Sequence, residues 1–263
     1  MSELDSKIQE LLDSMNPITL EQMSDIRLMN RLDTKYVASK EQLVQLLALV
    51  QDKYYVQETL DNRIIPYLTT YYDTNDHYMY MMHHNKRARR MKVRVRTYVA
   101  SGDTFLEVKN KNNHARTKKK RISVPSQDDF RGTEGASELV QRKTGLKLDS
   151  LSAVVRNKFD RVTLVNMGKT ERLTIDFNIA FHNFETTNNH GTGQLVIIEL
   201  KRDGNVFSPI TNLLRDIHIH PTGFSKCCIG MALTDPGLKQ NNFKAKLRNL
   251  EKINGEHFID HEI

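Results

Sequence analysis

The chain has 263 residues and a formal net charge of +7, and its hydrophobic and charged fractions of 38% and 27% exclude disorder and predict a folded core. The positive charge favours an anionic partner, such as polyphosphate, nucleic acid or anionic lipid. No apolar run approaches the roughly 20 residues of a membrane span, and the adjacent Cys227 and Cys228 are poorly placed to bridge each other. We therefore expect free thiols and a cytoplasmic protein without a signal peptide.

The first part of the chain is predicted to be mainly helical. Apolar residues recur at helical spacing over 3–14, and "NPITLEQMSDI" predicts a short helix that begins at its proline. A short strand is predicted over 31–38. Ser39 and Gln42 then form a capping-box pattern ahead of a further apolar stripe.

From residue 64 onward, the pattern changes to strands separated by turn-like stretches. The predicted strands cover 64–74, 91–99, 104–111, 118–124, 154–165, 172–181 and 194–202, and helices are predicted near 134–144, 209–217, 223–233 and 239–253. We expect a single α+β domain over 1–263. It would have N-terminal helices over 1–26, a core over about 27–233 and a basic C-terminal helix over 238–253.

Charged side chains occupy one face of several predicted strands, because successive residues of a strand point to opposite faces. Arg94 and Arg96 alternate with valines. The same rule puts Glu107 with Lys109, Lys119 with Arg121, Arg172 with Asp176 and Glu199 with Lys201, and Arg156 opens a further strand. If the apolar faces pack against helices, the charged faces meet inside a closed antiparallel barrel. The alternative is an open sheet whose charged faces contact water.

Such a lumen would need anions to offset its positive charge. Basic side chains would bind phosphate oxygens, and the acidic ones would hold a divalent cation that bridges them. This pattern predicts a polyanion and a metal ion as partners.

The order of these motifs resembles the VTC domain, the polyphosphate polymerase module of the vacuolar transporter chaperone complex. That domain belongs to the triphosphate tunnel metalloenzymes, or CYTH superfamily. The matching motifs are "RLDTKY", "YYDT", "KVRVRTY", "FLEVKNK", "KKR", an arginine before "NKF", "RLTID", "IIELK" and "FSKC". The resemblance implies a closed barrel of eight antiparallel strands, the triphosphate tunnel, with helices packed outside. It also implies transfer of the terminal phosphate of a nucleoside triphosphate, ATP above all, to a growing polyphosphate chain.

The resemblance also implies site residues. The phosphate ligands would be Lys35, Arg94, Arg96, Lys109, Arg156, Arg172, Lys201 and Lys226. Arg31, Lys119 and Arg121 are further substrate-binding candidates, and the last two compete for one position. Glu199 would be the principal ligand of Mn²⁺ or Mg²⁺, with Glu107 and Asp176 as weaker acidic candidates.

The chain departs from the superfamily's pattern on its first strand. Related hydrolases carry an E-x-E-x-K motif there, whereas this chain has Arg31, Asp33 and Lys35. The arginine removes a carboxylate that could bind metal, which favours the polymerase branch. The membrane-spanning domains of the fungal complex do not fit in 263 residues, so coupling to translocation would require a separate membrane protein.

Two other functions stay open at this point. One is a metal-dependent triphosphatase or polyphosphatase of the same fold, in which water replaces phosphate as the acceptor. The other is a non-catalytic module that binds polyphosphate or RNA, for which the basic stretch 84–92 and nearby tyrosines give some support. An inward-facing Glu199 disfavours pure anion binding, and no nucleic acid is expected. His218 and His220 are expected at the surface rather than in a metal site.

Overall fold

The computed structural model describes residues 2–24, 31–111, 117–204 and 207–256. The strands are β1 (Pro17–Ile18), β2 (Arg31–Ser39), β3 (Tyr54–Gln57), β4 (Ile65–Asp73), β5 (Arg90–Tyr98), β6 (Thr104–Lys111), β7 (Thr117–Val124), β8 (Ser152–Asn166), β9 (Glu171–Asn183), β10 (Asn189–Gly191) and β11 (Leu195–Asp203). The helices are α1 (Glu3–Ser14), α2 (Leu20–Ser24), α3 (Lys40–Val50), α4 (Tyr78–His84), α5 (Ala136–Thr144), α6 (Ile210–Asp216), α7 (Lys226–Thr234) and α8 (Lys244–Asn254).

The strands form one sheet whose main path is β2-β11-β9-β8-β4-β5-β6-β7. Neighbours along this path are antiparallel. The sheet curls strongly, since Lys109 on β6 interacts electrostatically with Glu199 on β11, although four strands separate them in the path. The expected mixed fold with a large antiparallel sheet is confirmed. The closed barrel is not, because the described residues of the two end strands, β2 and β7, do not pair with each other.

Helices cover the convex face of the sheet in two groups. At one end, α1, α3 and α6 pack on the apolar faces of β2, β11, β9 and β8, with Leu46, Ile175 and Ile198 fully buried. At the other end, α5 packs on β5 and β6, where Val93 and Leu106 are fully buried. The apolar side of each strand therefore faces helices, which leaves the charged side for the concave face.

Like α8, whose Leu247 and Leu250 share an apolar cluster with Ile197 on the Glu199 face of β11, helix α7 is an exception to the expectation that the helices lie outside. Its Cys228 and Ile229 pack with Phe159 of β8 and Phe181 of β9. Phe159 is on the same face of β8 as Arg161, because the two are two residues apart in a strand. At Gly230 an added Cβ would lie 2.4 Å from the Phe181 ring, so α7 requires a glycine there to approach the sheet. The helix closes off one part of the concave trough with apolar packing.

Most of the predicted elements are present. Helices α1 and α3 match their predictions, and Ser39 forms the expected capping box with Gln42. The helix expected to begin at Pro17 begins instead at Leu20, because Pro17 belongs to a short strand that pairs with β3. Strands β3 and β10 and helix α4 were not predicted. Among the described residues, no helix is long and apolar enough to cross a membrane.

Candidate functional site

Alternate side chains from neighbouring strands converge in the concave trough. Arg94 lies opposite Glu107 in the β5–β6 ladder, and Lys35 lies opposite Glu199 in the β11–β2 ladder. Residues paired in register share a face of the sheet. We call the resulting set, with a lysine contributed by α7, the concave-face cluster: Lys35, Arg94, Arg96, Glu107, Lys109, Lys119, Arg161, Arg172, Asp176, Glu199, Lys201 and Lys226.

The Glu199 carboxylate is held between two lysines. Lys35 Nζ donates to Oε1 at 2.9 Å, and Lys201 Nζ donates to Oε2. Burial alone would raise the pKa of Glu199, but Lys201 and Lys35 outweigh it and hold the pKa well below its usual range. The carboxylate is therefore ionised at neutral pH. Its side chain is 20% exposed, which leaves it accessible from the trough.

Asp176 on β9 forms a second ionic group, deeper in the trough. Arg161 donates from Nε and Nη2 to its two oxygens at 2.6 and 2.8 Å, the bidentate geometry that a guanidinium favours. Lys226, the first residue of α7, donates to the same carboxylate. Burial would raise the pKa of Asp176, but Arg161 and Lys226 hold it well below its usual range. This carboxylate, at 4% exposure, links α7 to the sheet.

Glu107 on β6 is the third carboxylate and is fully buried. Arg94 Nε donates to Glu107 Oε2 at 2.7 Å, and Arg94 Nη2 lies 2.5 Å from the same oxygen. Lys119 of β7 pairs with the other carboxylate oxygen, Oε1. Burial would raise the pKa of Glu107, but Arg94 and Arg96 are the strongest of the cations that lower it well below its usual range. Each acid of the cluster is thus neutralised by two basic side chains.

Lys109 is a basic residue of the cluster without a counterion in the described part of the chain. Its ammonium makes no ion pair with any residue that the structure describes, and it lies between Lys92 and Lys119 in the sheet register. The nearby Arg94, followed by burial, lowers the pKa of Lys109 to about 5. The empty site therefore disfavours the protonated ammonium, and an incoming anion would favour it.

Two aromatic rings lie beneath the basic groups. Tyr67 and Phe159 stack with ring centroids 5.3 Å apart. Arg161 lies 5.0 and 5.4 Å from these two centroids, and Arg96 lies 5.5 and 5.7 Å from them. Lys226 lies 4.4 Å from the Phe159 centroid. The ring faces attract the cations and help to fix their positions without occupying their hydrogen-bond donors, which Arg161 and Lys226 direct to Asp176.

Of the predicted site residues, the structure brings together Lys35, Arg94, Arg96, Lys109, Arg172, Lys201, Lys226, Glu107, Asp176 and Glu199. Lys119 and Arg121 share this face of β7, and Arg121 is paired in register with Glu107. Lys119 contacts the Glu107 carboxylate, whereas Arg121 is exposed, with its guanidinium 4.3 Å from the Phe105 ring centroid. Arg31 opens β2, but its side chain lies outside the described part of the structure.

The placement expected for Arg156 is wrong. Arg156 lies opposite Thr70 of β4, and its Nε donates to the Thr70 hydroxyl at 3.0 Å. The Arg156 guanidinium lies 5.1 Å from the Phe184 ring centroid. Thr70 is on the convex face, because its neighbour Thr69 accepts a hydrogen bond from Arg96 in the trough. Arg156 therefore does not belong to the concave-face cluster.

Arg161 is the residue that sequence reasoning missed. It lies five positions after Arg156 on the same strand, and an odd separation puts two residues on opposite faces. The alternation of Phe159, Arg161 and Thr163 against Val162 and Leu164 separates Arg161 from Arg156, but it does not show which of the two faces inward. Asp33, which the sequence pattern marks only as part of the departure from the superfamily's first-strand motif, lies opposite Lys201 across the β11–β2 ladder.

Cys227 and Cys228 are free thiols, as expected. His218 and His220 are exposed, which agrees with the surface role expected for them.

A curled antiparallel sheet with a cluster of basic and acidic side chains on its concave face is typical of the triphosphate tunnel proteins. The chain belongs to the VTC domain family, whose model matches residues 30–234. This confirms the resemblance drawn from the motifs. No curated protein sequence matches the chain.

Solved structures share the fold at low sequence identity. A "putative adenylate cyclase" from Bacillus halodurans is 11% identical, with a TM-score of 0.51, and the match covers 75% of this chain and 96% of that one. A "putative adenylyl cyclase" from Hippeastrum, described as having a dominant triphosphatase activity, is 13% identical with a TM-score of 0.48, over 78% of this chain and 97% of that one. The Bacillus structure supports the fold assignment alone.

Proposed function

We propose that the chain is a metal-dependent polyphosphate polymerase that transfers the terminal phosphate of a nucleoside triphosphate, ATP above all, to inorganic polyphosphate. The observation that carries the proposal is the surplus of basic over acidic side chains in the concave-face cluster, within a chain of the VTC domain family. Buried cations without matching acids are costly unless an anion joins them. A polyphosphate chain supplies such charges at regular spacing.

The basic residues of the cluster would clamp phosphate oxygens. Arg94, Arg96 and Arg161 offer planar donor pairs suited to two oxygens of one phosphate group. The lysines act as point charges. In the proposed enzyme, the phosphate ligands are Lys35, Arg94, Arg96, Lys109, Lys119, Arg161, Arg172, Lys201 and Lys226.

A divalent cation fits Glu199 better than the other two acids. Glu199 is 20% exposed, whereas Glu107 is 0% and Asp176 is 4% exposed, and both are enclosed by arginine. Carboxylate and phosphate oxygens are the ligands that Mg²⁺ and Mn²⁺ prefer. When bound, the metal would neutralise developing charge on the phosphate oxygens. Glu107 and Asp176 would instead orient the arginines.

The chain's own residues supply positioning and charge rather than covalent chemistry. The acceptor is a terminal phosphate oxygen, which is already anionic and requires no general base. Its oxygen forms a bond to the γ-phosphorus while the bond to the β–γ bridging oxygen breaks, and the nucleoside diphosphate leaves. Lys35 and Lys201 would stabilise the transferring group by shifting their hydrogen bonds from Glu199 to phosphate oxygens.

The first strand favours the polymerase over a hydrolase. Asp33 and Lys35 face the trough next to Lys201 and Glu199, and Arg31 replaces the acid that hydrolases of the superfamily carry. With fewer carboxylates, the first strand has fewer groups that could bind and orient an attacking water molecule. A closed tunnel, in which β2 meets β7 around the substrate, is part of this proposal, as are a cytoplasmic location and a separate membrane partner for translocation.

The test is incubation of the purified protein with ATP and Mn²⁺, followed by polyacrylamide gels stained for polyphosphate and an assay of free phosphate. The proposal predicts long chains together with ADP. Free phosphate in equal amount to ADP, without chains even after a short polyphosphate primer is added, would assign the hydrolase instead. If ATP is not consumed, the remaining interpretation is a non-catalytic module that binds polyanions.

A further inference from the structure

Three residues outside the trough bring metal-ligand atoms together from distant parts of the sequence. His77 precedes α4, Glu185 follows β9, and Asp235 follows α7. One donor atom from each side chain lies within 4.8 Å of the other two. An imidazole nitrogen and two carboxylate oxygens are a donor set that zinc accepts.

The distances within this group approach those of a metal site. His77 Nε2 and Glu185 Oε2 lie 3.3 Å apart. In a tetrahedral zinc site with bonds of about 2.0–2.1 Å, neighbouring ligand atoms lie about 3.3 Å apart. Asp235 uses Oδ1 to accept the backbone N–H of Gly237 at 2.9 Å, which leaves its other oxygen for a ligand.

The surroundings also favour a cation. Among the described residues, neither Glu185 nor Asp235 forms an ion pair with a lysine or arginine. The buried Asp73 adds negative charge close to the imidazole, while its oxygens accept the N–H groups of Met79 and Tyr80.

The main chain holds His77 in place. Its φ of 54° is in the left-handed region, which histidine adopts more often than most residues other than glycine, and its N–H donates to Thr74 O at 2.8 Å. In this conformation the imidazole lies beside the Glu185 carboxylate.

We propose that His77, Glu185 and Asp235 bind one divalent transition metal of the Zn²⁺ type, at a structural site separate from the trough. The imidazole ligand favours zinc over Mg²⁺ or Ca²⁺, which prefer oxygen alone. The metal ties the C-terminal end of α7 to the β4–α4 connection and to the turn after β9. Lys226, at the other end of α7, contacts Asp176, so the metal stabilises the helix that bounds the concave-face cluster.

The test titrates metal-free protein with Zn²⁺ and measures its thermal midpoint, with a chromogenic zinc chelator as competitor. The Glu199→Gln chain serves as the parent, so that the trough contributes no carboxylate at that position. One equivalent of Zn²⁺ should bind, and at saturation the midpoint should rise by about 5 °C. The same concentration of Mg²⁺ should give no rise.

Two variants decide the assignment. Glu185→Gln changes an exposed carboxylate, and His77→Asn keeps a residue that tolerates the left-handed backbone. Both should lose the zinc-dependent rise, whereas Glu138→Gln on α5, also exposed, should keep it. The proposal is wrong if the parent binds no zinc, or if Glu185→Gln retains the full rise. If His77→Asn lowers the midpoint without metal, Glu185→Gln alone decides the outcome.

Discussion

Arg161 clamps Asp176 through two hydrogen bonds of 2.6 and 2.8 Å, deep in the concave trough. The same carboxylate receives Lys226 from α7. One buried acid therefore positions two of the cations that we propose as phosphate ligands, one from the sheet and one from the helix across it.

Replacing Asp176 with asparagine should destabilise the protein. The change leaves Arg161 and Lys226 buried without their acid, and the loss of one partner from a buried ionic group costs about 3–5 kcal/mol. Chemical denaturation should show this decrease in the free energy of unfolding. Asp160→Asn, on the opposite face of β8 from Arg161, is the matched control and should cost much less. Equal effects of the two changes would show that the buried pairing does not stabilise the fold.

Arg161 and Arg156 offer a direct comparison on one strand. Arg161→Met should weaken tripolyphosphate binding roughly tenfold or more, the value of a charged hydrogen bond, because Arg161 faces the trough. Arg156→Met should leave the affinity unchanged, because Arg156 is hydrogen-bonded to Thr70 on the convex face. Isothermal titration calorimetry measures both. A loss of affinity confined to Arg156→Met would contradict the assignment of the two faces.

Glu199→Gln should reduce the rate of ATP consumption at least roughly a hundredfold, the scale of losing a charge contact in the transition state. The amide keeps the shape of the side chain but binds a divalent cation poorly. Glu138→Gln, a change at an exposed position of α5, should retain full activity. Near wild-type turnover of Glu199→Gln at saturating Mn²⁺ would remove Glu199 from the mechanism.

Lys109→Met should stabilise the empty protein and weaken anion binding. The pKa of Lys109 is 10.5 in the unfolded chain and about 5 in the folded chain. Between these pH values the unfolded chain binds the extra proton, so the free energy of unfolding decreases as the pH falls from 10.5 towards 5. At neutral pH the methionine variant should therefore melt about 2–4 °C higher. Its affinity for tripolyphosphate should nevertheless fall. The bound anion would be the counterion that Lys109 lacks in the empty site, and methionine offers no ammonium group to pair with it. A lower melting temperature would show that Lys109 is already compensated in the empty site.

Much of this site was predictable from local alternation. The period of two in "KVRVR" and "FLEVK" fixes which side chains share a face, and Arg94 and Glu107 meet as that rule requires. For Arg156 and Arg161 the rule alone could not choose the inward face, since β8 carries charges on both faces and its register shifts near Lys158. The orientation depends on partner strands that are remote in sequence.

Other features could not be predicted because they depend on contacts between distant segments. "GFSKCCIGMAL" predicts a helix, but its position on the concave face follows from the contact of Gly230 with Phe181. The same holds for His77, Glu185 and Asp235, which come together only when three elements pack. Strands β3 and β10 are too short to show a period.

The central claim is that phosphate, rather than water, accepts the transferred group. The most direct measurement follows ATP turnover in ¹⁸O-labelled water with a short polyphosphate primer, using ³¹P NMR with Mg²⁺ for the products and mass spectrometry for the label. Polymerisation predicts growth of the internal-phosphate resonance in step with ADP, and no ¹⁸O in the transferred phosphate. Free phosphate that carries one ¹⁸O for each ADP formed would contradict the account and identify a hydrolase.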